Sequence, residues 1–359
     1  MHELIRSEAA AAEQRRALTE PVVAALVSSG TTRSLAPARL GGRELDLPSW
    51  LVEIEALARA DGSTGWTAMT TGATSALSWY LTDDGAEEVF GSPTSVIAGT
   101  AAPAGTAVAA DGGYRVTGRW GWGSAVPLCD WVAGGARTDG GATFAIFRRA
   151  DVTVHDTWHA AGLRATASHE WEAADVFVPA RRAVWPAGVE VSGPLPRFPF
   201  TAFLALGVAA VGLGVAARAV EEVEALAVVK TPQHTAVPLA EQTGAQLDLA
   251  TAEARLSAAR AFLHTEVAAR WADAVADVPA SVPDRARLRL ACAHAAAESA
   301  TVTRLAFDVG GGSSVFETSA LQRCLRDAHV AAQHGLVSRR LFETYAKVRL
   351  GVATDTARL

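Results

Sequence analysis

Gly118-Arg119-Trp120-Gly121-Trp122-Gly123-Ser124-Ala125, followed closely by Asp130-Trp131, is the stretch on which the reading of this chain turns. It reads as a strand ending in a turn of small residues. Tryptophan set among so many glycines needs a partner for its flat face or its indole N–H. Two partners are open: a packed β-core, or a planar, polar-edged ligand in a concave site.

Around it, between Ser95 and Pro179, short β-like runs alternate with Gly and Asp: Val96 to Gly99, Thr106 to Ala109, Tyr114 to Trp122, Trp131 to Ala136, Thr143 to Phe147, Val152 to Val154 and Glu172 to Val178. Asp111-Gly112-Gly113 is a hairpin signal, and the regular spacing predicts a compact β-barrel or sandwich. Before this region the pattern is helical to about Phe90. Asp46-Leu47-Pro48 supplies a cap and an early proline, and Asp61-Gly62-Ser63 stops one helix and caps the next, expected from Thr64 to about Leu81. After a Pro-rich connection, Pro186 to Pro199, four Ala-rich helical segments follow near 200–228, 237–277, 282–308 and 318–349. The expected division is an N-terminal helical domain over residues 1–94, a central β domain over 95–190 and a C-terminal four-helix bundle over 191–359. This is an α+β chain whose β unit interrupts its helices.

The chain has 359 residues, 50% hydrophobic and 19% charged, with a formal net charge of −6. Such a chain can bury two or three ordinary cores, and its dispersed Lys and Arg form no basic stripe for nucleic acid. Three cysteines, Cys129, Cys292 and Cys324, have neither disulfide nor zinc-ligand spacing, so a reducing, cytoplasmic setting is expected. Phe200 to Ala217 is uncharged and nearly long enough to cross a bilayer, but its Gly207, Gly212 and Gly214 suit a buried helix with close neighbours, and acidic residues follow at once. Gly212-Leu213-Gly214-Val215-Ala216-Ala217 inside it formally fits a dinucleotide fingerprint, yet no strand–helix alternation follows. His155 and His159 lack a third ligand, so no metal is expected.

The order helix, strand, helix carries a set of motifs: Ala60-Asp61-Gly62-Ser63-Thr64-Gly65-Trp66, Gly118 through Ser124, Gly162-Leu163-Arg164-Ala165-Thr166-Ala167-Ser168-His169, Asp175-Val176-Phe177-Val178-Pro179, Leu321-Gln322-Arg323 with Arg326-Asp327, and Gln333-His334. Together they resemble the acyl-CoA dehydrogenase superfamily and, within it, the two-component flavin-dependent monooxygenases. The resemblance spans nearly the whole chain. The dehydrogenases carry a glutamate base a few residues beyond the Arg-Asp pair, where this chain has Gly335; the monooxygenase branch commonly has a histidine there, and His334 matches it. Glycine cannot abstract a proton.

The resemblance implies reduced flavin, FMN or FAD, with dioxygen as co-substrate, reacting to a C4a-hydroperoxide that must be kept dry and held. It implies a separate NAD(P)H:flavin reductase, a small aromatic or amine-bearing substrate, and a homo-oligomer, a tetramer. It places Ser124 near flavin N5, Trp120 and Trp122 near the ring, and Thr166 and Ser168 as hydroxyl donors to the flavin's polar edge or phosphate tail. His334 would accept a substrate proton or steady the peroxide, while His169 and the pair Arg326 and Asp327 would be structural. Gly310-Gly311-Gly312-Ser313-Ser314 is open between a flexible helix break and a phosphate cradle of backbone N–H groups, in which Gly311, Gly312 and Ser313, with Lys230, would take part. Two departures matter. No histidine lies between Thr70 and Tyr80, where relatives often have one, and no arginine-rich helix start grips an adenine dinucleotide, which favours FMN over FAD.

Overall fold

The computed structural model describes residues 1–184, 193–357 and 359. The beginning of the Pro-rich connection and the expected boundary at 190/191 lie outside the described residues. Five helices come first: α1 (His2–Arg15), α2 (Glu20–Ser28), α3 (Leu47–Ala60), α4 (Gly62–Ser75) and α5 (Asp83–Phe90). The caps fall where the sequence put them. The Asp46 carboxylate accepts from Ser49 N–H at the start of α3, and that of Asp61 accepts from the N–H and hydroxyl of Thr64 at the start of α4. Helix α4 ends earlier than expected, and a 3₁₀ turn, Ala76–Tyr80, completes the stretch.

Seven strands follow: β1 (Ile97–Ala110), β2 (Gly113–Gly123), β3 (Trp131–Thr138), β4 (Gly141–Arg148), β5 (Thr153–His155), β6 (His169–Pro179) and β7 (Ala183–Val184). The expected barrel or sandwich takes the form of one mixed sheet in the order β5-β6-β2-β1-β3-β4-β7, in which, among the described residues, only the β1–β3 pair is parallel. The two runs expected from Val96 and Thr106 are one 14-residue strand. The sheet curls around its own aromatics. Trp120 of β2 stacks on Trp171 of β6 with centroids 4.1 Å apart, Phe147 of β4 meets both, and Trp120 Nε1 donates to Gly135 O at 2.8 Å. The neighbouring glycines make room for these rings: a methyl at Gly118 would lie 2.7 Å from the Trp120 ring, and one at Gly134 2.6 Å from that of Trp171. Of the two partners open to Trp120, the β-core is the real one. It is fully buried with its indole N–H spent on Gly135 O, so it offers no open face to a ligand, which corrects its expected place beside a flavin ring.

Trp122 behaves differently. The β2–β6 register shifts between Trp120 and Gly123, and Trp122 takes φ 57°, so a bulge breaks the alternation and turns this ring outward, 75% exposed.

The C-terminal region comprises α6 (Pro194–Arg197), α7 (Phe200–Val229), α8 (Thr243–Val275), α9 (Val282–Gly310), α10 (Ala320–Ala332) and α11 (Arg340–Leu350). The fourth expected bundle segment is therefore two helices, because the chain turns at His334, whose side chain caps a 3₁₀ turn, Gly335–Val337. Helix α7 is long and apolar enough to cross a membrane, but 83% of its most apolar stretch is buried in the protein. It packs on α3 and α9, and its glycines serve that approach: a methyl at Gly214 would strike the α3 backbone at Glu55, and one at Gly212 would press on Ser299 of α9. The fingerprint-like run is a packing surface. One apolar core runs through α1–α4 and the C-terminal helices together, whereas the sheet has its own.

Residues from α1, α4, α10 and the loop after β5 meet at one polar junction. Arg326 of α10 pairs with Glu13 of α1 and donates to Ala161 O, while Asp327 Oδ1 accepts from Leu163 N–H at 2.6 Å. Arg326 and Asp327 are structural, but each holds another segment rather than its neighbour. Burial pushes the Asp327 carboxyl up to about 7, and the nearby Asp61 charge pushes it the same way. An acid held higher in the folded than in the unfolded chain favours folding most at low pH, and that contribution fades as pH rises through its folded value.

Two outcomes follow from this packing. Trp120→Ala should cost about 3–5 kcal/mol in urea unfolding, and Trp122→Ala no more than about 0.5 kcal/mol; equal costs would contradict the bulge. Asp327→Asn keeps an acceptor for Leu163 and cannot ionise, so its stability relative to the parent should rise between about pH 4 and about pH 7 and level off above. A difference that does not change with pH would show that Asp327 does not titrate in that range.

Candidate active site

Ser124 sits in the turn after β2, buried against α4 and the 163–168 loop. Its Oγ accepts from Trp66 Nε1–H at 2.9 Å and lies 2.7 Å from Ser168 Oγ, which lies 2.6 Å from Thr166 Oγ1. Thr166 Oγ1 in turn donates to Leu163 O at 2.8 Å. Both ends of this chain are fixed, because an indole N–H can only donate and a carbonyl can only accept. Each hydroxyl has one proton, so one arrangement serves every bond: Trp66 donates to Ser124, Ser124 to Ser168, Ser168 to Thr166, and Thr166 to Leu163 O. Ser124 thus spends its proton inward and keeps one oxygen lone pair.

The surrounding backbone is strained in a localised way. Trp122, Ala125, Leu163 and Ala167 all have left-handed φ, between 46° and 65°. Such conformations persist where neighbouring contacts over-determine them. Ala125 N–H bonds Thr166 O at 3.0 Å, joining the two loops, and Trp158 Nε1 donates to the same Leu163 O at 3.0 Å.

His334 is brought to the same place from the other end of the sequence. Its ring meets that of Trp66 edge-on, with centroids 5.8 Å apart. Its Nδ1 accepts from Leu336 N–H at 3.2 Å, so in the neutral ring the proton sits on Nε2. Burial, with Arg289 adding its charge, holds the imidazole pKa below its ordinary value, which favours the neutral ring. Accepting a proton would break the bond to Leu336, so the geometry favours His334 as an Nε2–H donor over the expected base. A methyl on Gly335 would meet open space, so no packing constraint explains the missing carboxylate.

The other expected residues divide. Thr166 and Ser168 are buried with their hydroxyls committed to the relay, which corrects their assignment as direct donors to a cofactor. Trp122 offers an exposed face two residues from Ser124. Lys230 Nζ donates to Gly310 O at 2.6 Å, closing the end of α9 beside Gly311, whose φ is 54°. Lys230 thus lies beside Gly310 and Gly311, at the opposite end of the 13-residue α10 from His334, about 20 Å of helix away. His169 Nδ1 accepts from Thr157 and Trp158 N–H groups, a structural role. Among the described residues no three His, Cys, Asp or Glu side chains are placed to share a metal. The sequence reading gave no role to Trp66, which joins Ser124 to His334, nor to the Leu163 carbonyl. Trp66 acts through contacts between segments far apart in the chain, for which local pattern carries no signal; the Leu163 carbonyl accepts from Thr166 and Trp158 close by, in a left-handed turn that a leucine does not announce.

Reduced flavin fits this donor set. The lone pair left on Ser124 suits a ring N–H, the neutral His334 can donate to oxygen, and the Trp122 ring is free to cover an aromatic face.

Residues 206–339 match the family model described as acyl-CoA dehydrogenase, C-terminal domain. The chain is 32% identical over 332 residues to an indole-3-acetate monooxygenase of Pseudomonas putida, covering 90% of this chain and 85% of that protein. It is 28% identical to the flavin-dependent monooxygenase oxygenase subunit HsaA of Rhodococcus jostii, covering 98% of this chain and 97% of the other. Among solved structures, XiaF from Streptomyces, in complex with FADH2 and glycerol, superposes with a TM-score of 0.92 at 26% identity, covering 98% of this chain and 93% of that one. With that agreement in sequence and fold, the chain belongs to the oxygenase components of the two-component flavin-dependent monooxygenases, built on the acyl-CoA dehydrogenase-like fold.

Proposed function

We propose that this oxygenase component inserts oxygen into a small aromatic substrate, with Ser124 and His334 at the reacting end of the flavin, and that it works as a cytoplasmic homotetramer. Reduced flavin, supplied by a separate reductase, and dioxygen are its co-substrates; bound flavin supplies the electrons and the activated oxygen. The observation that carries the residue assignment is Trp66, whose one indole touches both Ser124 and His334. Ser124 orients the flavin edge by accepting from it. His334 holds a proton on Nε2 toward an oxygen atom in the pocket, and the buried loop Leu163–Ser168 keeps water from the inner face. The aromatic substrate class rests on the indole-3-acetate monooxygenase relative. The competing dehydrogenase reading needs a base that Gly335 does not provide. Tetramerisation is supported by apolar side chains left in water on the helical side of the molecule, among them Val228, Val229, Val315 and Phe316.

Ser124→Ala and His334→Ala should fold yet divert turnover from product to hydrogen peroxide, with coupled product formation falling roughly ten- to ten-thousand-fold. His334→Gln, whose amide N–H falls near the place of Nε2, should recover some of the loss. Full coupling in both alanine variants would refute the assignment. The purified protein should leave flavin oxidised when given NADH alone, and light scattering should report about four 37.3 kDa chains. Rapid flavin reduction without a partner, or a monomer at micromolar concentration, would each overturn the corresponding claim.

A further inference from the structure

Three arginines are buried among the described residues: Arg33, Arg182 and Arg289. The Nε of each lacks a hydrogen bond, but in two of them the rest of the group is satisfied. Arg33 donates to the carbonyls of Leu40, Phe90 and Ser92, and Arg182 lies beside Glu88 and donates to Ile146 O. Arg289 of α9 has far less. It is 3% exposed, and its one hydrogen bond runs from Nη1 to Thr201 O at 3.1 Å. Among the described residues no carboxylate pairs with it. The group that supports its charge is the Cys292 thiol, which burial pushes up to about 12 and so keeps neutral. A guanidinium taken out of water without a counter-ion is costly until an anion pairs with it.

The position of Arg289 narrows what that anion is. Helices α7 and α9 both pack on the 3₁₀ turn that His334 caps, and the Arg289 charge acts on the His334 imidazole. The residue before Thr201, half-buried Phe200, joins α7 to the sheet: its ring meets that of Phe144 edge-on and that of Phe203 at a tilt. We propose that Arg289 is the receptor for an acidic group on the substrate, so that the aromatic substrate carries a carboxylate held at Arg289 while its ring faces His334. The inference rests on the reading that places His334 at the reacting end. A carboxylate brings two acceptor oxygens, which suits a guanidinium that gives the protein only Nη1. A flavin phosphate would offer the same chemistry. The substrate is favoured because the charge of Arg289 acts at His334, whereas a phosphate sits a ribityl chain away from the reacting ring.

The experiment is anaerobic calorimetric titration of the full-length protein, with reduced FMN present, using matched pairs: indole-3-acetate against indole-3-acetamide, and 4-hydroxyphenylacetate against its amide. In the parent at least one acid should bind about tenfold or more tightly than its amide. Arg289→Met should weaken the acid by about tenfold to a hundredfold and erase that preference. Arg289→Lys, which keeps the charge without the planar fork, should keep part of it. Without ligand, Arg289→Met should melt no lower than the parent, because an apolar side chain replaces an unpaired buried charge; Arg289→Gln gives the same comparison should methionine disturb the fold. An acid preference that survives both neutral variants, or no acid preferred over its amide in the parent, would overturn the proposal. So would a loss of affinity for FMN but not riboflavin, which would assign Arg289 to the cofactor's phosphate. Full coupling in His334→Ala with the acid preference intact would instead overturn the placement of His334 and leave Arg289 as an anion receptor.

Discussion

One peptide unit, that of Leu163, is the constraint on which the site depends. Its N–H is gripped by a buried carboxylate on α10, its carbonyl terminates a chain of hydroxyls that begins at the α4 indole of Trp66, and its backbone sits in a conformation that a leucine rarely adopts. Three regions of the molecule distant in sequence are thus referred to one point. Ser124 belongs to the sheet, Trp66 to the first group of helices and Asp327 to the last. Without the Leu163 peptide between them, each would be an ordinary polar side chain.

The two tryptophans of the opening motif show how nearly identical sequence positions acquire opposite physical roles. Regular alternation along β2 would have sent both to the same face. The bulge after Trp120 breaks the alternation, leaving one ring sealed on Trp171 among glycines and the other in water. Short-range pattern could recognise the strand, the turn and the crowding by glycine. It could not recognise the bulge, because the residue that takes the positive φ is a tryptophan rather than a glycine.

The same distinction separates what was legible elsewhere. Caps at Asp46 and Asp61, the hairpin at Asp111-Gly112-Gly113 and the buried nature of the α7 segment were readable, since each depends on residues within one or two turns of chain. The break between α10 and α11 was not, because His334 looks like a helix residue until its ring is seen capping Leu336. Ser124 and His334 were named through resemblance, but their shared contact with Trp66 and the inward polarity of the hydroxyls belong to tertiary structure alone. That Lys230 reaches the Gly310 carbonyl at the far end of α10 is likewise a contact no local pattern could give.

The bulged Trp122 also gives the molecule an optical property. Among the described residues it is the one tryptophan whose ring lies mostly in water, while Trp50, Trp120, Trp131 and Trp171 are enclosed. Its fluorescence should therefore lie to the red of theirs, and a flat chromophore settling on that face would quench it first. The chain thus carries a distinct emission signal from that one surface, and it comes from the same break in strand alternation that freed the ring.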